Sequence, residues 1–224
     1  FKYFFLYGYK LLVAQLLYTI DANIYYVIIG KLFTSVQLGY YSRAELFGSL
    51  PSSNLNSIVQ KVSFPTLAKL QDDPQKFREG LKKLIKSSMF ISFVFTIGLA
   101  AIANPLVLTL IGSKWVQSII YLQLLCFSVM LYPIHSLNSN VLNVLGRTDL
   151  FLKIEIIKRI LLIPVIFIAI LFGIKAMLVC IIVTSFLSYF INSYYTGRLA
   201  LYSAKEQIID IFPSFLLALV MGLI

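Results

Sequence analysis

The sequence predicts an all-α integral membrane protein, and three observations carry that prediction. Of the 224 residues, 59% are hydrophobic and 12% charged, with a mean hydropathy of +0.89. That is more apolar surface than one soluble core could bury. The apolar residues run in stretches of about 20, the length of a spanning helix, and not in the alternating segments of about ten that build a barrel. Finally, Lys and Arg collect at the ends of these stretches, beside the polar breaks between them.

Taken in order, the pattern gives six spans and the start of a seventh: 4–33, 36–69, 88–111, 117–145, 153–172, 174–197 and 212 onward. The first holds Asp21 near the middle of the apolar stretch Leu11 to Gly30, too deep to reach water by extending its side chain. At 100° per residue Tyr18 and Tyr25 share its face, with Lys10 nearly in line. Asp21 then reads two ways: as a carboxylate paired with a neighbouring helix, or as a cavity-lining or proton-coupling group.

The second span carries Arg43, Glu45, Asn54, Asn56, Gln60 and Lys61 and fails a hydropathy threshold. The basic residues argue that it crosses. If it does, fourteen fall on one side: Lys2, Lys10, the six of segment 69–86, Arg147, Lys153, Lys158, Arg159, Arg198 and Lys205. The other side receives Lys31, Lys114 and Lys175, and such an excess marks the cytoplasmic face. The net charge of +10 is thus explained by topology and anionic lipid heads, and no nucleic-acid partner is expected. Along this helix Arg43, Asn54 and Lys61 are separated by three and then two turns, so they share a stripe with Ser57. Pro51 interrupts the stripe and can kink it. Two readings stand. The cations extend to opposite interfaces, or they face an aqueous cavity, where Arg would fork onto a phosphate and Lys would act as a compact charge.

The third span follows an amphipathic stretch, 74–87, where Asp73 can cap a helix opening at Pro74. The fourth turns polar through Pro133, His135, Ser136, Asn138, Ser139, Asn140 and Asn143. His135, Asn138, Ser139 and Asn143 are candidates for contacting sugar hydroxyls, although small polar side chains also join helices. His135 lacks a second His or Cys at metal spacing, so no metal is expected. Cys126 and Cys180 lie in apolar runs and read as small buried hydrophobes, with no disulfide or zinc site implied. In the fifth span Glu155 precedes Lys158 and Arg159 at the spacing for local ion pairing. The sixth carries a narrow stripe of Ser185, Ser188 and Asn192 that suits packing, and Trp115 before the fourth suits an interfacial belt. No signal peptide is expected, and both ends look cut, as in a piece of a longer protein. No nucleophile with its base, intramembrane carboxylate pair or glycine-rich phosphate loop appears, so an enzyme is not expected and no cofactor is called for.

The order and spacing of Asp21 with IIGK at 28–31, LGYYSRA at 38–44, VSFPTLAKLQDD at 62–73, GSKW at 112–115 and LGRTD at 145–149 resemble the Wzx-type polysaccharide flippases of the multidrug/oligosaccharidyl-lipid/polysaccharide superfamily. The resemblance implies a MATE-like transporter of two six-helix lobes working by alternating access in the bacterial inner membrane. Residues 1–198 would be the second lobe, and 199–224 a cytoplasmic interfacial linker with the start of a truncated further helix. The implied substrate is an undecaprenyl-pyrophosphate-linked oligosaccharide, with Arg43, Lys61, Asn54 and Ser57 toward its cavity. The implied partners are the bilayer, the missing N-terminal lobe and other polysaccharide assembly proteins. A cation-coupled drug exporter of the same superfamily would call for acidic cavity residues, and the intramembrane balance of Asp21 and Glu45 against Arg43 and Lys61 does not favour it. A membrane-embedded polymerase or glycosyltransferase would call for a large extramembrane loop bearing charged catalytic residues, whereas the longest connection here is the basic segment 69–87.

Overall fold

The computed structural model describes residues 2–223, with side chains of the first helix described at positions 8, 9, 12, 13, 16 and 19 and from 23 onward. Every regular element among them is helical: α1 (Lys2–Leu32), α2 (Ser35–Leu70), α3 (Pro74–Ala101), α4 (Ala103–Leu110), α5 (Gln117–Val129), α6 (Tyr132–Val144), α7 (Thr148–Ile160), α8 (Leu162–Leu199) and α9 (Ala204–Leu223), with a 3-10 turn at Ser113–Trp115.

Local chemistry sets the helix starts. Thr34 opens α2 with a reciprocal cap: its hydroxyl accepts from the Gln37 amide while the Gln37 side chain accepts from the Thr34 N–H. Asp73 caps α3, accepting from the Gln75 and Lys76 amides at 3.2 and 3.1 Å, with Pro74 in the first turn where no N–H is needed. The amphipathic stretch 74–87 is continuous with the span after it, in one 28-residue helix.

Three expected spans are interrupted. Breaks fall at Ile102, at Met130–Leu131 and at Leu161, each shortly before Pro105, Pro133 or Pro164. A proline ring cannot donate to the carbonyl four residues back, which leaves the preceding turn free to distort. The expected span 88–111 is therefore α3 followed by the short α4. The further helix expected from 212 begins at Ala204, so the linker before it is only residues 200–203.

Four segments among the described residues are long and apolar enough to cross a membrane: Pro74–Ala101, Gln117–Val144, Thr148–Leu199 and Ala204–Leu223. The third, at 52 residues, would measure about 78 Å if straight, against a hydrocarbon core of about 30 Å. It doubles back at Gly173, whose φ of 83° and ψ of −175° are open essentially to glycine alone. The Lys153 ammonium consequently sits 5.7 Å from the Tyr195 ring centre, and the two arms run side by side. Sequence analysis places the same boundary between 172 and 174.

α2 runs through the middle of the bundle, against α3, α5 and α6. Its buried positions, Tyr41, Ala44, Gly48, Ser52, Val59, Ser63 and Leu67, recur at steps of three, four or seven residues, and four of them are small. Small residues let membrane helices approach closely; a side chain at Gly48 would meet Leu122 and Leu125 at 3.5 and 3.6 Å. Two apolar clusters result. One, around Ile29, Ala44, Leu122, Val165 and Met177, lies toward Trp115. The other, around Leu67, Leu81, Met89, Leu137 and Tyr202, lies toward the lysine-rich start of α3.

Candidate functional site

The face of α2 opposite its buried stripe is open and mixes polar with apolar side chains. Arg43, Asn54, Ser57 and Lys61 are all exposed, interspersed with exposed Leu46, Leu50 and Ile58. Helical geometry puts Arg43, Asn54 and Lys61 within about 20° of one another and diametrically across from Val59 and Ser52. Pro51 stays inside the helix without breaking it. The Asn54 amide donates to the Leu50 carbonyl at 2.9 Å, a bond within its own helix, so it holds no neighbour.

The two cations of this face have different settings. The Arg43 guanidinium lies 5.4 Å from the centre of the Trp115 ring, which also has the Lys114 ammonium at 5.8 Å and Tyr40 edge-on at 5.9 Å. The LGYYSRA and GSKW motifs thus meet in space. Lys61 has no ion pair, hydrogen bond or ring contact among the described residues. Glu45, two residues from Arg43, turns away and accepts from the Tyr26 hydroxyl at 2.6 Å, fastening α1 to α2. The Asp21, Tyr18 and Lys10 side chains lie outside the described residues.

The polar half of α6 does something else. Asn138 is fully buried; its amide nitrogen donates to Ser193 Oγ at 3.2 Å and Gln207 Oε1 at 3.4 Å, and its oxygen accepts from Thr196 at 3.0 Å. Gln207 also accepts from Ser193 and donates to the Tyr202 carbonyl. His135 Nδ1 faces the Asn192 amide nitrogen at 3.1 Å, so Nδ1 accepts and the proton sits on Nε2, which donates to Ser185. Ser185 in turn donates to the Ser128 carbonyl at 3.0 Å. Asn140 donates to Ser63 at 2.7 Å. Of the four sugar-contact candidates, His135 and Asn138 therefore bond α6 to α8 and α9, whereas Ser139 and Asn143 are half-buried. Asn192 and Ser185 belong to this packing network. Glu155 binds Lys158 at 2.7 Å and Arg159 at 3.2 Å on α7.

α9 is held by contacts distant in sequence. Arg78 pairs with Glu206 at 3.0 Å, and Asp210 gathers Lys82 at 2.9 Å, Lys86 at 3.8 Å and the Tyr202 hydroxyl at 2.8 Å. The four-residue spacing of Glu206 and Asp210 against basic α3 was the available signal, but the partners stand over 120 residues apart. A hollow beside Glu79, Lys82, Lys83 and Lys86 is walled by α3 alone and encloses nothing. Among the described residues no three His, Cys, Asp or Glu side chains are grouped to hold a metal.

Residues 1–120 match the family described as polysaccharide biosynthesis protein. Similar curated proteins include the teichuronic acid biosynthesis protein TuaB of Bacillus subtilis, 31% identical over 66% of this chain and 31% of that protein. The lipopolysaccharide biosynthesis protein WzxC of Escherichia coli is 31% identical over 66% of this chain and 30% of its own length. The succinoglycan biosynthesis transport protein ExoT of Rhizobium meliloti is 30% identical over 46% of this chain and 21% of its own. The chain spans about a third of the length of the first two of these relatives. No solved structure matches it.

Proposed function

Because the chain belongs to the polysaccharide biosynthesis protein family, we propose that it forms one lobe of a transporter that flips an undecaprenyl-pyrophosphate-linked oligosaccharide from the cytoplasmic to the periplasmic leaflet by alternating access. The observation that carries this reading is the open face of α2. A helix face turned to lipid should be apolar, since a charged side chain at membrane depth costs roughly 2.5–3.5 kcal/mol. This face instead bears two cations without carboxylate partners among the described residues, together with Asn54 and Ser57, on a helix whose other side is buried against its neighbours. Such a face suits the wall of a wet, anion-attracting path closed by a second lobe. Cations with free donors match a diphosphate, and the exposed amide and hydroxyl match sugar hydroxyls. The lysine-rich end, with Arg78, Lys82 and Lys86, would face the cytoplasm.

Export of surface polysaccharide by the full-length protein tests the reading. Arg43→Ala and Lys61→Ala should each lower export at least severalfold with protein abundance unchanged, and Lys61→Arg should be milder than Arg43→Lys, because only the guanidinium can fork. Full export in both alanine variants refutes the path. The alternative, a cation-coupled drug exporter, has less support: the described carboxylate nearest the open face, Glu45, is committed to Tyr26.

A further inference from the structure

Arg43 and Lys61 lie on one face, yet they cannot serve one diphosphate together. Eighteen residues at 1.5 Å each put their Cα atoms about 27 Å apart. Helical side chains lean toward the N-terminus of their helix, so Arg43 leans toward the turn holding Gly39 and Tyr40, away from Lys61. Trp115 waits there. Its indole lies flush on the α2 backbone, 3.7 Å from where a side chain at Gly39 would begin, and Tyr40 braces its ring edge-on.

We propose that Arg43, Lys114 and Trp115 form a binding station of their own for a phosphate-bearing anion, separate from Lys61, so that the transported headgroup is held at two successive places along α2. This rests on the transport reading above. Two cations share one indole within cation–π range, and neither has a carboxylate partner among the described residues. Like charges gathered this way repel unless an anion joins them. Contact with the indole restrains the guanidinium while its N–H donors have no partner among the described residues, so little freedom is lost when a phosphate docks. Lys61, with no aromatic beneath it, would be the looser station.

The test uses the full-length protein in nanodiscs of phosphatidylcholine alone, titrated with inorganic pyrophosphate. Trp115 is the only tryptophan of these 224 residues, and subtracting the same titration of Trp115→Phe isolates its emission. The expected result is a saturable change that needs at least tenfold more pyrophosphate in Arg43→Ala, recovers partly in Arg43→Lys, and stays within twofold in Lys61→Ala. Equal weakening by Lys61→Ala would mean one shared site and would overturn the proposal, as would the lack of any saturable change in the wild type. A second arm adds phosphatidylglycerol without pyrophosphate; if that alone produces the full change, the site holds lipid headgroups and the two-station path is refuted. Failure of the transport reading is separate: it would show as unimpaired export in Arg43→Ala and Lys61→Ala while pyrophosphate still binds at Trp115.

Discussion

Replacing Asn138 with alanine separates two roles for the polar half of α6, joining helices or touching sugar. Asn138 makes three hydrogen bonds to other helices, to Ser193, Gln207 and Thr196, at 3.2, 3.4 and 3.0 Å. Hydrogen bonds between membrane helices average about 0.6 kcal/mol each, because unfolded segments also find partners, so the three together contribute about 2 kcal/mol. The loss is softened by the network: Gln207 Oε1 keeps Ser193, and the Thr196 hydroxyl keeps the Asn192 carbonyl. Unfolding of the full-length protein in mixed dodecylmaltoside and sodium dodecyl sulfate micelles should show Asn138→Ala destabilised by about 1–2 kcal/mol. Asn54→Ala is the matched control, since its amide bonds only its own helix, and it should move stability by less than about 0.5 kcal/mol. Combining Asn138→Ala with Thr196→Val should cost less than the sum of the two, because they share a bond. The reasoning is refuted if Asn138→Ala is as mild as Asn54→Ala in unfolding and yet abolishes export. That pattern belongs to a group that contacts substrate.

Other outcomes follow from the packing and the caps. Gly48→Leu should destabilise the protein by about 1–3 kcal/mol through overpacking against Leu122 and Leu125, measured by the same micellar unfolding; an unchanged midpoint would mean that the α2–α5 contact is loose. The Asp73 carboxyl is held below its ordinary range, chiefly by the Lys76 backbone N–H and then by the Lys76 ammonium at 3.0 Å. Its cap is therefore complete above the usual aspartate pKa and lost as pH falls through the lowered value. Hydrogen exchange at the Gln75–Phe77 amides should thus lose protection in acid in the wild type and keep it in Asp73→Asn, which caps without titrating; identical acid profiles would count against the cap. Ser113→Cys should react with a membrane-impermeant maleimide added outside intact cells, whereas Ser87→Cys should need permeabilisation, and the reverse pattern would invert the assigned orientation.

Much of the fold is legible because it is local. The glycine between two apolar stretches marks the hairpin at Gly173, and Asp73-Pro74 announces the start of α3. That α2 crosses the membrane is argued from the distribution of positive charge alone; it is not among the segments apolar enough to span, and its buried side includes small and hydroxylated residues that hydropathy undervalues. The breaks near Ile102, Met130 and Leu161 were not legible. Pro51, Pro65 and Pro213 remain inside helices, so a proline in the sequence does not say whether its helix will yield; the packing around it decides. The start of α9 was missed for a related reason. Residues 204–211 look like a polar linker until Arg78 of α3 neutralises Glu206, and Lys82 and Lys86 neutralise Asp210. At the candidate site, the stripe of Arg43, Asn54, Ser57 and Lys61 follows from helical spacing alone, and each of the four is exposed. The roles of His135 and Asn138 depend on partners 50 to 69 residues away, and no spacing rule reaches that far.

The turn at Gly173 has a bearing on how the chain enters the bilayer. With a single residue between the two arms, there is no loop to wait in water while one arm inserts and the other is still being made. The pair must partition as a unit, late, once the second arm has been synthesised. The same economy leaves no room for insertions, so epitope tags or reporter fusions at this point should abolish assembly. Space is no obstacle at Gly173, since nothing lies within 4 Å of where a side chain would begin. The constraint is chirality: a D-alanine introduced there should be tolerated where L-alanine is not.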